Sequence, residues 1–209
     1  DSNAFMRELL QDRQIVSDTG VFETKNVQVD LVDLRSLLST SERAAYRQIG
    51  LECAQAVEAT CLAARPGMSE QEIALNLKQA CLALGINANC VLVGADDRIF
   101  RYRHPMPTDY KVKNLLMLVL GGEKYGLNVS LTRFVAFGQP EDEYLTKFKL
   151  TQEIFAGMQD LTRPGRSYQE FFAQVQGLYT KAGYKNEWQK HHQGGPTGYA
   201  CRESIVSPN

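Results

Sequence analysis

The chain has 209 residues, a net charge of −1, 44% hydrophobic and 22% charged residues, so it is expected to be an ordinary soluble globular protein of one domain, or one domain plus a fragment of another. Its near-neutral balance offers no basic face for nucleic acid and no pull toward an anionic membrane. The longest aliphatic run, Leu115 to Leu120, falls far short of the ~20 residues that span a bilayer.

In chain order, Ser2-Asn3-Ala4 reads as the remnant of an expression tag and is set aside. A helical stretch, ERAAYRQIGLECAQAVEATCLAA, leads into a turn at Arg65-Pro66-Gly67. Ser69 then caps a helix, Glu72 three residues on completes a capping box, and Gly85 stops it. Strands follow at NCVLVG (89–94), LLMLVL (115–120) and VSLTRFVAF (129–137), the last two joined by the Gly-rich GGEKYGLN. A second helical stretch, YLTKFKLTQEIFAGMQDLT, leads into a second Arg-Pro-Gly turn with its own Ser167, Glu170 and Gly183.

The two turn-and-helix segments, 65–86 and 163–184, align without gaps at an offset of 98 residues, with seven of 22 positions identical. A chance recurrence of a common helix-start phrase would not also match the stop and the helix ahead of the turn, so an internal duplication is the stronger reading. A duplicated helix-helix-strands unit predicts an α+β fold with pseudo-two-fold symmetry, its helices backing a curved antiparallel sheet and its site on the concave face.

The five cysteines, Cys53, Cys61, Cys81, Cys90 and Cys201, are odd in number and lack CxxC spacing. Reduced, buried thiols in a cytoplasmic protein are expected, with neither a disulfide framework nor a zinc knuckle. The three histidines are His104, after the first half, and His191 and His192, after the second. Pseudo-symmetry would bring them to one face. The stretch HHQGGPTGYACRE (191–203) reads either as the floor of a pocket, its glycines letting backbone approach a ligand, or as a polar turn with His191 solvated.

The motifs RPGMSEQE, RHPMPT, LLMLVLGGEKYGLNVSLTRFVAFG, RPGRSYQE and HHQGGPTGY, in that order, resemble the pita-bread superfamily of methionine aminopeptidases, prolidases, aminopeptidase P and creatinase. The resemblance covers residues 36–209 as a catalytic-type domain, with the last strands missing; residues 1–35 resemble a linker and the tail of a small N-terminal domain. It implies a homodimer acting on a small molecule or peptide. In the family's peptidases two metal ions sit between two hairpin aspartates, one His and two late glutamates. Here the aspartate positions fall on Val119 and Ser130, His192 matches the ligand His, Tyr199 stands where a second family His would be, and the glutamates would lie beyond Asn209. Two divalent cations need several carboxylates around them, so no metal and no other cofactor is expected.

His104 matches the family histidine that handles protons beside the metal. Creatinase keeps the fold, uses no metal and relies on that histidine, and an imidazole titrating near neutrality suits the task. His104 and His192 are therefore the candidate catalytic residues. His191, Gln193, Tyr199, Arg202, Glu203 and Arg133 are the candidates for binding substrate. Three functions stay open: metal-independent hydrolysis of a C–N bond in a small amidino or amide substrate, a non-catalytic module binding a peptide or protein, and a metal-dependent Xaa-Pro peptidase.

Overall fold

A computed structural model describes residues 2–11 and 13–206. Residues 1, 12 and 207–209, which include the outermost positions of the two expected segments, lie outside the described residues. The chain divides into two compact units, the break falling after Arg43. The first unit contains α1 (Ser2–Leu10), which begins at the residues read as a tag remnant, two paired dipeptide strands, β1 (Val16–Ser17) and β2 (Lys25–Asn26), and α2 (Gln28–Ser36).

The second unit begins within α3 (Thr40–Ala63) and continues through α4 (Glu70–Ala83), β3 (Asn87–Ala95), α5 (Asp97–Arg101), β4 (Leu115–Lys124), β5 (Leu127–Ala136), α6 (Asp142–Leu161) and α7 (Tyr168–Lys181). Strands β3, β4 and β5 form one antiparallel sheet in that order. The fold is the expected α+β arrangement of helices backing an antiparallel sheet. Among the described residues the second helix pair carries no sheet of its own; a short 3₁₀ turn (Glu187–Lys190) and the irregular segment 191–206 follow it.

The duplication extends to individual hydrogen bonds. Ser69 and Ser167 each accept from the backbone N–H three residues on, while Glu72 and Glu170 each reach back to the serine N–H, so both predicted capping boxes form. At the other end, Gly85 and Gly183 take left-handed φ of 67° and 85°. The next residues, Ile86 and Tyr184, donate to Cys81 and Tyr179 carbonyls, both at 2.9 Å, which satisfies carbonyls that the helix end would otherwise leave unpaired. Arg65 and Arg163 each turn a guanidinium back onto the last carbonyls of the preceding helix.

One side of the sheet is core. Leu116, Leu118 and Leu120 alternate along β4 and are fully buried, as are Ile49, Cys53 and Val57 of α3 and Ile73, Leu77 and Cys81 of α4. Each such aliphatic side chain contributes about 1.5–3 kcal/mol on burial. The link between β4 and β5 is shorter than the glycine-rich stretch suggested: β4 runs through Gly121 and Gly122 to Lys124, and only Tyr125 and Gly126 turn the chain. Both have positive φ, 56° and 82°, which a two-residue hairpin turn requires. Gly122 pairs within the sheet with Ala88 and Val129, and a Cβ there would come within 2.8 Å of Cys53 Sγ on α3, so the strand calls for glycine at this position. The cysteines divide more evenly than expected. All five are free, but only Cys53 and Cys81 are buried, while Cys90 and Cys201 are exposed, because strand alternation turns Cys90 away from the helices.

Candidate functional site

The register decides which residues share the face away from the helices. Val119 pairs with Leu92 and Thr132, Met117 with Gly94 and Phe134, and Gly121 with Cys90 and Ser130. Directly paired residues point the same way, so this face carries these side chains, and at the hairpin end Glu123 and Asn128, which also pair.

Two loops pack on it. The first follows β3. Pro105 is buried and occupies the space a Cβ on Gly94 would need, at 2.7 Å, which seats the segment bearing His104 over the strand ends. The second is 191–206, pinned by Asn128. Its backbone N–H donates to Gly198 O at 2.8 Å, and its side-chain amide faces Gly198, Gly126 and Tyr199 carbonyls at 3.1–3.3 Å while accepting from Cys201 Sγ. Tyr46 Oη of α3 donates to the Asn128 carbonyl at 2.8 Å. The loop closes on itself through Gln193 N–H to Val206 O and Val206 N–H to Gly194 O. At Gly195 any side chain would collide with the Ser204 carbonyl.

These loops bring the three histidines together. The His104 and His191 ring centroids lie 5.6 Å apart edge to face, and those of His191 and His192 lie 4.1 Å apart. Hydrogen bonding sets opposite proton positions on the neighbouring pair. His191 Nδ1 lies 2.8 Å from the His192 carbonyl and must donate to it, so in the neutral form of this ring the lone pair falls on Nε2. His192 Nδ1 instead accepts from Gly194 N–H at 3.2 Å, so the neutral ring carries its proton on Nε2. Burial, then the charges of His191 and Arg202, hold the His192 imidazole below its ordinary value; the Gly194 contact raises it and His104 lowers it further.

The remaining candidates are placed differently. Arg202 is half-buried, donates to Cys201 O and acts electrostatically on His192. Glu203 accepts from Ala200 N–H within its own loop. Tyr199 covers the hairpin turn, its ring 3.1 Å from where a Gly126 Cβ would sit. Gln193, expected to face substrate, is buried, its amide donating to Trp188 and His191 carbonyls; it braces the loop. Arg133 pairs with Leu118, on the helix side of the sheet, and reaches Glu58 of α3 at 3.4 Å. Strand parity therefore directs it away from the histidines.

The donors on this face do not fit a pair of divalent cations. The two strand positions that the resemblance assigns to aspartates hold Val119 and Ser130, which sit on the adjacent pairs Val119–Thr132 and Gly121–Ser130. The one acid of β4 and β5, Glu123, is bound to Gly126 N–H and Asn87 Nδ2 at 2.6 and 2.7 Å. Among the described residues no group of three or more His, Cys, Asp or Glu side chains is placed to hold a metal ion. No helix among them is long and apolar enough to cross a membrane. A cavity of about 370 Å³ opens behind the second loop, lined by Phe155, Met158, Phe171, Gln193 and Val206 among others, but no histidine lines it.

Helices backing an antiparallel sheet, with a site built by loops on the sheet's open face, define a pita-bread protein. The chain belongs to metallopeptidase family M24, whose profile matches residues 44–208. Solved structures share the fold: a prolidase from Thermococcus sibiricus (TM-score 0.82, 16% identity, 100% of this chain and 63% of that one) and an X-Pro aminopeptidase from Thermotoga maritima (0.76, 18%, 99% and 65%). A dipeptidase from Mycobacterium ulcerans is similar over 88% of this chain and 50% of its own (0.77, 21%). The chain thus spans about half to two thirds of the length of these proteins. No curated protein matches the sequence.

Proposed function

We propose that the chain is the histidine-bearing part of a hydrolase that cleaves a C–N bond in a small amide or amidino substrate, with protons moved by imidazoles and not by a divalent pair. The observation that carries this reading is the meeting of His104, His191 and His192, from segments far apart in sequence, beside a sheet face whose one strand carboxylate, Glu123, is already hydrogen-bonded at the hairpin end. His104 takes a proton from the attacking water as the C–O bond forms, and returns it to the nitrogen as the C–N bond breaks. His192, neutral near pH 7, donates its Nε2–H to the developing negative charge on substrate, and His191 offers the Nε2 lone pair. Arg202 supplies a fixed positive charge beside them.

The test is a turnover screen of dipeptides with proline second and of creatine-like compounds, in chelator and again with cobalt or manganese. Turnover should persist in chelator and fall by about 10²–10⁴-fold in His104→Ala. Activity that requires metal, with two ions held per chain, would establish the metal-dependent Xaa-Pro peptidase reading instead. Saturable peptide binding without turnover in any condition would make the chain a binding module.

A further inference from the structure

We infer that Glu70 is a positioning residue for His104, a role distinct from starting helix α4; this rests on reading His104 as part of the site. The Glu70 side chain is fully buried. Oε1 accepts from Ala95 N–H and Arg98 Nε, both at 2.9 Å; Oε2 accepts from Arg98 Nε at 3.1 Å, Thr108 N–H at 2.9 Å and Thr108 Oγ at 2.7 Å. Ala95 ends β3, and Thr108 lies beyond His104. One carboxylate therefore ties both ends of the excursion that carries the histidine.

Arg98 extends the hold to the middle. Its Nη2 donates to Met106 O at 3.0 Å, and its guanidinium lies 4.9 Å from the centroid of the Tyr102 ring. Met106 and Tyr102 stand two residues to either side of His104. With Pro105 set against Gly94, the backbone around the imidazole is fixed on each flank.

The duplication supplies an internal control. Helix α7 begins with the same capping box as α4, yet the residue matching Glu70 is Tyr168, which is 51% exposed. The helix start thus does not call for an acid at this position, and in α4 that work belongs to Ser69 and Glu72. A carboxylate is costly to bury unless its hydrogen bonds are filled. Those bonds all lead to the His104 loop.

The test is NMR on the full chain, following the ring-to-ring Overhauser contact between His104 and His191 in Glu70→Gln and in Glu72→Gln. Glutamine keeps the shape but sets an NH2 against donors, so Glu70→Gln should weaken the contact at least threefold in folded protein. Glu72→Gln should lower Tm and leave the contact intact. A Glu70→Gln protein that loses Tm yet keeps the full His104–His191 contact would overturn the inference. If Glu70→Gln does not fold, Thr108→Val removes only the hydroxyl donor: exchange of the amide at position 108 should then rise about tenfold and the contact weaken, whereas an unchanged His104–His191 contact overturns the inference. The readout needs no turnover, so it stands or falls apart from the proposed hydrolysis.

Discussion

Asn128 offers the sharpest test of how the site loop is held. The residue is 8% exposed, and its two side-chain amide hydrogens are shared among three carbonyls, of Gly126, Gly198 and Tyr199. In Asn128→Leu, of similar volume, the backbone bond from residue 128 to Gly198 O survives, but both side-chain N–H bonds are lost, along with the weak S–H contact from Cys201. At about 1 kcal/mol per net hydrogen bond, the cost is about 2 kcal/mol. For a chain of this size that corresponds to a Tm lower by roughly 4–8 °C. The damage should be local first. Exchange should quicken at the Gly198, Ala200 and Glu203 amides, which donate to Ala200 O, Glu203 Oε1 and Pro196 O, before the sheet is touched. Urea unfolding with hydrogen exchange measures both quantities. A loss below about 0.5 kcal/mol, or unchanged exchange in the turn, would refute the idea that this amide anchors the loop.

Two further outcomes follow from the same physics. The Tyr144 hydroxyl is buried with no hydrogen-bond partner among the described residues, packed with Phe134 and Phe148, and burial pushes its phenol up to about 12; Tyr144→Phe should therefore stabilise the protein by about 1 kcal/mol, read as a higher Tm. His192 is held below the ordinary histidine value in the folded chain, so the unfolded chain binds its proton more tightly. The stability linked to this residue is complete above the unfolded pKa of about 6.5 and is lost as pH falls through the lower folded value; urea midpoints measured from pH 8 to pH 5 should fall less steeply in His192→Asn, and parallel curves would contradict the shift.

Features confined to one helix were legible in the sequence, because helix signals are local. Ser69, Glu72 and Gly85, and Ser167, Glu170 and Gly183, act within a few residues of themselves, and all six do what the spacing implied. Strand positions were legible, but not which way each side chain faces. Arg133 shows the reason: its direction follows from pairing with Leu118, and a slip of one residue would have turned it to the opposite face. Gly121 and Gly122 looked like a loop because glycine usually breaks a strand, whereas Gly122 answers to a sulfur atom on α3. Glu70 and Asn128 could not be weighed from sequence, since partners lie 25–38 residues away for the first and up to 73 for the second, and meet them only once the loops close; Gln193, weighed as a substrate contact, instead meets carbonyls two and five residues back.

The repeated frame and its unequal loads explain how the histidines meet. Both helix pairs are built with the same turn, cap and stop, yet the first is followed by a sheet and the second by a loop that lies on that sheet's open face. An imidazole arriving from residue 104 and two from 191–192 are thereby delivered to one place by structurally equivalent supports. The middle of that face presents Val119 and Thr132, then Gly121 and Ser130. The His192 imidazole is held below its ordinary value by burial first, and then by the charges of His191 and Arg202. Carboxylates placed at Val119 and Ser130 would add oxygen ligands for a cation in the middle of this face, and any imidazole within about 4–6 Å of them would be drawn toward its charged form.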